Sequence, residues 1–576
     1  PNFPRYRNPF PCAEMDEPLP SSVDVVVVGT GLAEAMLAAA CSRSGLSLLH
    51  LDESSYYGGE WSSFNLHTLQ EWMDTEKARA EQTRTTPEST IYPSEGLVHD
   101  DETFTRIRKR PTIRSIRDEW TPASEEREQI DKVDEEGETK SEQGPSWREK
   151  VEEQWRRFSI DLMPKVLLAR GELVRTLCDS EVSAYAEFKL VDRLLGVTSS
   201  IDNPSWLHRI PCSRGEIFDS DALSMLDKRR LMKLLQLCMQ WHTDPAACAP
   251  VQEFADRPFV DFLASQNIQG GLADLLCNSM SFLSPSSSSL TASSLAGLCR
   301  FMDSVGTFGP SPFLAPLYGS GELPQCFARL SAVFGGTYCL GRPIEGVTVK
   351  DGRITSVIVA NQRVECAHLL MTSCYALEEW TEDRPSSSKP TYRSILFANG
   401  TVLKESKENI TLINLGGIDP ACGGRMLEAG WEACLAPKGY YLAHVTAEGC
   451  DRSEKLVDDV IKRFYRSNSG ESEAEEKPLL LRKIQYTISD IDFSSAPTIP
   501  ENVAVLRLPD ATADYRTPME EAKSIFARFW PDRDFLPRAL KKDKEGDDED
   551  EAFDAREDDE SINKEESINK EESIDK

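Results

Sequence analysis

The chain has 576 residues, too many for one simple core, so two domains plus tails is the expected plan. Its 65 Lys and Arg stand against 96 Asp and Glu, a formal net charge of −31 that argues against nucleic acid as a partner. The 40% hydrophobic content suffices for a globular body, yet no apolar run reaches the roughly 20 residues that span a bilayer.

Residues 1–20 are rich in proline and charge, carry no signal-peptide pattern, and are expected to be disordered. The first ordered stretch, within 21–73, is the most informative. The β-branched run Val23-Asp24-Val25-Val26-Val27-Val28 is followed by Gly29-Thr30-Gly31-Leu32-Ala33-Glu34, a helix of small apolar residues, and Leu46-Ser47-Leu48-Leu49-His50-Leu51 ending in Asp52. Strand, glycine-rich turn, helix, second strand and terminal acid form a βαβ unit of the dinucleotide-binding kind. The sixth position of the turn, normally glycine, is Glu34. A carboxylate there suits the helix dipole of an empty site but repels a pyrophosphate. Gly29, Gly31 and Glu34 therefore make a degenerate turn, and no cofactor is expected. His50 and His67 are expected to be structural.

Residues 74–153 are rich in Glu, Lys, Arg, Ser and Thr and read as an acidic disordered insertion with short helical pieces. Apolar spacing over 154–305 is mainly helical, marking a second domain inserted into the first. Strand signals return in 306–540. Val347–Lys350 and Arg353–Val359 form a hairpin around Asp351-Gly352. Further strands are expected near 369–372, 394–397, 410–415, 440–445, 483–488 and 503–508, with a helix over 518–530. Residues 541–576 form an acidic tail of low complexity. The expected class is therefore α/β, an FAD/NAD(P)-binding-like sheet domain related to flavoproteins, carrying a helical insertion. The 15 cysteines show no CxxC or zinc-like spacing, so reduced thiols of a cytosolic protein and no metal are expected.

A second informative stretch is 311–340. A glycine-rich loop leads to a helix starting at Glu322 with Pro324 in its first turn; Phe327, Leu330 and Val333 are expected to face inward. Glu322, Gln325 and Arg329 share a face, as a recognition stripe or a plain solvated one.

Several motifs carry a family resemblance. These are Gly29-Thr30-Gly31-Leu32 with Glu34, His50-Leu51-Asp52, Tyr56-Tyr57-Gly58-Gly59, Pro316-Leu317-Tyr318-Gly319, and Gly335-Gly336-Thr337-Tyr338. Together they resemble the Rab GDP-dissociation inhibitor and Rab escort protein superfamily. Ala38 to Arg43, Glu187-Phe188-Lys189, Pro211-Cys212-Ser213-Arg214 with Phe218, and Glu322 to Phe327 are similar to the escort branch, as is the long acidic insertion. The resemblance implies a non-enzymatic carrier, an accessory component of Rab geranylgeranyltransferase. Such a protein binds GDP-bound Rab GTPases, presents them to the transferase heterodimer, and holds the prenylated product until membrane delivery. It implies a Rab-binding platform at Tyr57, Glu322, Gln325, Arg329, Thr337 and Tyr338, and a geranylgeranyl site in the helical domain, with Leu231–Gln240 and Leu272–Phe282 as candidate helices. A dissociation inhibitor is the near alternative and a flavin-dependent oxidoreductase the distant one.

Overall fold

The computed structural model describes residues 18–85, 96–121, 129–133, 139–143, 146–197, 206–212, 214–219, 224–240, 251–270, 272–273, 276, 290–342, 344–375, 389–405, 409–419, 422–466, 477–491 and 499–538. The expected tail at 541–576, most of the expected disordered start at 1–20, and most of Leu272–Phe282 lie outside these residues.

The valines of the strand Ser22–Val28 alternate between two cores. Val25 and Val27 join one cluster, Val26 and Val28 another, and all four are fully buried. A strand buried on both faces belongs inside a parallel sheet. It lies between the parallel strands Leu48–Asp52 and Gln362–Thr372. Thr337–Leu340 continues the sheet beyond Leu48–Asp52, and Val503–Leu506 pairs in parallel with Gln362–Thr372. The antiparallel strands Ile344–Lys350 and Arg353–Val359 complete the other side. Their turn at Asp351 and Gly352 has φ of 52° and 73°, the two positive values that make Asp-Gly the natural choice.

The helix Leu32–Arg43 packs on one face of this sheet and is buried from Leu32 to Ser42, since the helices Glu322–Val333 and Arg516–Phe529 cover it. Ala38, Ala39, Ala40 and Cys41 are small because three elements meet there. In Glu322–Val333, Phe327 and Leu330 are buried, but Val333 is 65% exposed. The expected inward Val333 is thus corrected: the helix ends at this residue, so no following turn covers it.

The second large sheet runs Leu207–Arg209, Arg193–Val197, Thr411–Asn414, Arg425–Ala429, Tyr441–Glu448, Thr391–Ala398, Leu480–Ile488, Ile113–Trp120. The helix Ser453–Phe464 packs on it through Leu456, Val457, Val460 and Phe464.

The expectation that 74–153 is disordered fails for much of the stretch. The helix Leu66–Thr85 runs into it, Thr103–Arg106 adds an edge strand to the first sheet, and Ile113–Trp120 adds one to the second. Gln129–Val133 and Thr139–Gln143 pair as a hairpin, and a capping box at Ser146 and Glu149 starts the helix Trp147–Glu153. Charged ladder partners explain the polar sequence: Asp118 takes two bonds of 2.8 Å from Arg482, and Glu119 pairs with Lys483 at 2.9 Å. The block 154–305 holds helices such as Met225–Gln240 and Thr291–Ser304, but also short strands, and Arg193–Val197 pairs with Thr411–Asn414 of the second sheet.

Candidate functional site

The turn that would cradle a dinucleotide is filled by the chain itself. Gly29 holds φ at 97°, and a Cβ there would strike the Thr372 side chain. Gly31 caps the helix, and a Cβ on it would strike the Glu34 carboxyl. That carboxyl is buried, takes a hydrogen bond from the Thr372 hydroxyl, and is pushed up to about 8 by desolvation. Asp52, the acid placed to meet a ribose, accepts from Thr30 N at 3.0 Å, Thr30 Oγ1 at 2.8 Å, Ser54 N at 2.9 Å and the Tyr375 hydroxyl at 3.0 Å. Lys109 Nζ stands 3.9 Å from the same carboxylate. These residues do not fit a dinucleotide: a carboxyl lies where the pyrophosphate approaches the glycine, and the ribose acid is already saturated.

Beside this turn the chain forms a depression of about 420 Å³. It is lined by Tyr57, Tyr185, Glu322, Gln325, Cys326, Ala328, Arg329, Ala332, Gly336 and Tyr338. Four elements supply the lining side chains. Tyr57 sits in the turn before Gly58, whose φ of 100° reverses the chain and whose N–H bonds Thr30 Oγ1 at 3.1 Å. Tyr338 lies on the strand Thr337–Leu340, in register with His50. Its ring is 4.6 Å from His50 and 6.0 Å from Tyr57. His50 is buried, bonds Gly29 O at 2.5 Å, and is lowered to about 4 by desolvation, so it stays neutral.

The helix Glu322–Val333 supplies most of the rest, and its start is fixed from below. Ser320 N donates to the Asp161 carboxylate at 2.9 and 3.0 Å, and Gly321 N to Ser63 Oγ at 2.9 Å. A Cβ on Gly321 would come within 2.6 Å of the Ser63 backbone nitrogen, so only glycine allows this approach. On the helix, Gln325 and Arg329 are exposed and Glu322 is half-buried. Burial holds the Glu322 carboxyl above its usual value. The Arg329 guanidinium lies 4.3 Å from the Tyr185 ring centroid, and among the described residues it has no carboxylate partner. Burial pushes the Cys326 thiol up to about 11, so it supplies no thiolate. A guanidinium, an amide, a carboxyl and the phenols of Tyr57 and Tyr185 suit polar docking of another protein surface, while Tyr338, its hydroxyl buried, contributes its ring.

Tyr57, Glu322, Gln325, Arg329 and Tyr338 thus meet at one depression. Thr337 is exposed on the adjoining strand and does not line it. Tyr185, which the sequence reading missed, arrives on the short turn Val182–Tyr185, distant in the chain and without periodicity to announce it. His67 stacks on Trp155 at 4.0 Å. Of the candidate lipid helices, Met225–Gln240 buries Leu231, Leu234, Leu235 and Cys238 in the common core against Thr291–Ser304. No helix among the described residues is long and apolar enough to cross a membrane.

Comparison with known proteins identifies the family. The GDP dissociation inhibitor family profile matches residues 15–90 and 139–388, and that of the RAE1/2 domain I, C-terminal region, matches 391–511. The chain is 41% identical to the Rab proteins geranylgeranyltransferase component A 1 of Caenorhabditis elegans, over 92% of this chain and 97% of that protein. It is 30% identical to the component A 2 of Mus musculus, over 91% and 98%. Among solved structures, the Rab GDI of Plasmodium falciparum aligns with a TM-score of 0.60 at 18% identity, covering 90% of this chain and all of that one. The chain belongs to the GDP dissociation inhibitor family.

Proposed function

We propose that this chain acts as a Rab escort protein. It binds GDP-bound Rab GTPases, presents them to the Rab geranylgeranyltransferase heterodimer as a non-catalytic accessory component, and holds the prenylated product in the cytosol until membrane delivery. The observation that carries this reading is the near full-length match to a geranylgeranyltransferase component A. The depression between the Tyr57 turn and the helix from Glu322 supports it as the Rab platform, with Thr337 at its margin. Arg329 offers a planar fork for carboxylate or carbonyl oxygens, and the tyrosines give rigid contact area. A geranylgeranyl chain loses roughly 0.8 kcal/mol for each methylene left in water, so escorting demands an apolar groove; we assign it to the helices of 154–305.

Prenyl transfer to unmodified Rab by the purified heterodimer, with and without this chain, tests the reading. Transfer that depends on the chain is expected. Transfer unchanged by it, alongside extraction of prenylated Rab from membranes, would instead assign a dissociation inhibitor.

A further inference from the structure

Two thiols meet at one end of the strands of the second sheet, outside the lining of the depression. Cys422 is buried in the turn between Thr411–Asn414 and Arg425–Ala429; Cys450 is exposed just before the helix Ser453–Phe464. Their sulfurs are 3.2 Å apart. A disulfide needs about 2.05 Å, so closure asks for roughly 1 Å of further approach. Two clamps already hold the segments together: Glu448 N donates to Cys422 O at 3.1 Å, and Arg452 Nη2 to Asp419 Oδ1 at 2.9 Å.

We propose that Cys422 and Cys450 form a peroxide-oxidisable dithiol that closes into an intrachain disulfide. The two sulfurs differ as an attacking and a resolving thiol must. Partial burial would raise Cys450, but hydrogen bonding from the Ser453 hydroxyl, the Cys422 thiol and the Arg452 backbone holds it below its usual value. The Ser453 hydroxyl is 3.5 Å from its sulfur. The nearby Asp419 carboxylate opposes the thiolate, but its charge is met by Arg452. Cys422 is pushed up to about 12 by burial and by its contact with Cys450, and stays protonated.

In the first step the Cys450 thiolate attacks a peroxide oxygen and the O–O bond breaks. Sulfur loses two electrons and becomes the sulfenic acid, and hydroxide leaves and is protonated to water. Next the Cys422 sulfur attacks the sulfenic sulfur, the S–O bond breaks, and the leaving hydroxide takes the Cys422 proton as water. Two thiols and one hydrogen peroxide yield one disulfide and two waters. The bond staples the start of the helix Ser453–Phe464 to the turn at Cys422.

Trypsin separates the relevant cysteines. Cys422 falls on the peptide Glu408–Arg425, Cys450 on Gly439–Arg452, and Cys434 on the peptide between them. The full chain, treated with stoichiometric hydrogen peroxide, alkylated and digested without reductant, should yield Glu408–Arg425 joined to Gly439–Arg452, and dithiothreitol should release both. C450S should lose the linked pair. C422S should lose it too and leave a Cys450 sulfenic acid that dimedone traps. Cys450 still free after peroxide, or joined to a cysteine other than Cys422, overturns the proposal. So does dimedone labelling of C422S no greater than that of C450S.

Discussion

Thr372, the last residue of the strand Gln362–Thr372, donates its hydroxyl to the Glu34 carboxyl in the first turn of the helix Leu32–Arg43. The bond ties the two elements that a pyrophosphate would bridge in a cofactor-binding relative of this fold. Burial lifts Glu34 to about 8 from an ordinary 4.5, so the folded chain holds a proton there that the unfolded chain releases. The stability this group contributes is complete below pH 4.5 and is lost as pH rises through about 8. Replacing Glu34 by Gln keeps the acceptor and removes the titration. The variant should gain on the native chain as pH rises from 5 to 8, by on the order of 3 kcal/mol. Urea unfolding midpoints at several pH values measure the gap; a gap independent of pH would refute the assignment.

Arg329 is exposed and lacks a carboxylate partner among the described residues, so its side chain contributes little to folding. Arg329→Ala should leave stability within about 0.5 kcal/mol. It should weaken binding of GDP-bound Rab by about 1–3 kcal/mol. Calorimetric titration paired with thermal melting separates the two effects, and unchanged affinity would remove this residue from the platform.

Gly321 anchors the start of the helix that lines the depression. Gly321→Ala drives a methyl into the Ser63 backbone and must shift the start of the helix that carries Glu322. A loss of about 1–3 kcal/mol in unfolding free energy is expected. Weaker Rab binding should accompany it, although Gly321 itself does not line the depression.

Lys165 is a buried cation that joins distant segments. Its Nζ meets Asp510 Oδ1 at 2.6 Å, Thr512 O at 2.7 Å and Thr512 Oγ1 at 2.8 Å. Lys165→Met strips the partly exposed Asp510 of its charge partner and removes the bonds to Thr512. Destabilisation of about 1–3 kcal/mol is expected, since water still reaches the Asp510 carboxylate. The double variant with Asp510→Asn should recover part of it, as a double-mutant cycle would measure.

How much the sequence discloses follows from how each part is stabilised. Val23–Asp52 was legible because a doubly buried parallel strand must be apolar throughout and its turn must be glycine-rich. Ile113–Trp120 was not. It is an edge strand whose register rests on charged partners, so Arg114, Arg117, Asp118 and Glu119 resemble the residues of a solvated linker. The stripe of Glu322, Gln325 and Arg329 could be placed on one helix face from spacing alone. Its meeting with Tyr57 and Tyr338 follows from Thr337–Leu340 pairing beside Leu48–Asp52, and Tyr185 from tertiary packing.

The saturation of Asp52 bears on how far the turn could be altered. Restoring glycine at position 34 would reopen the mouth of the turn, yet the acid below would still be committed to Thr30, Ser54 and Tyr375. Admitting a coenzyme would require several simultaneous changes. The inward turn of these side chains therefore acts as a latch: no single substitution opens the turn, and its outer face can vary without exposing the acid beneath.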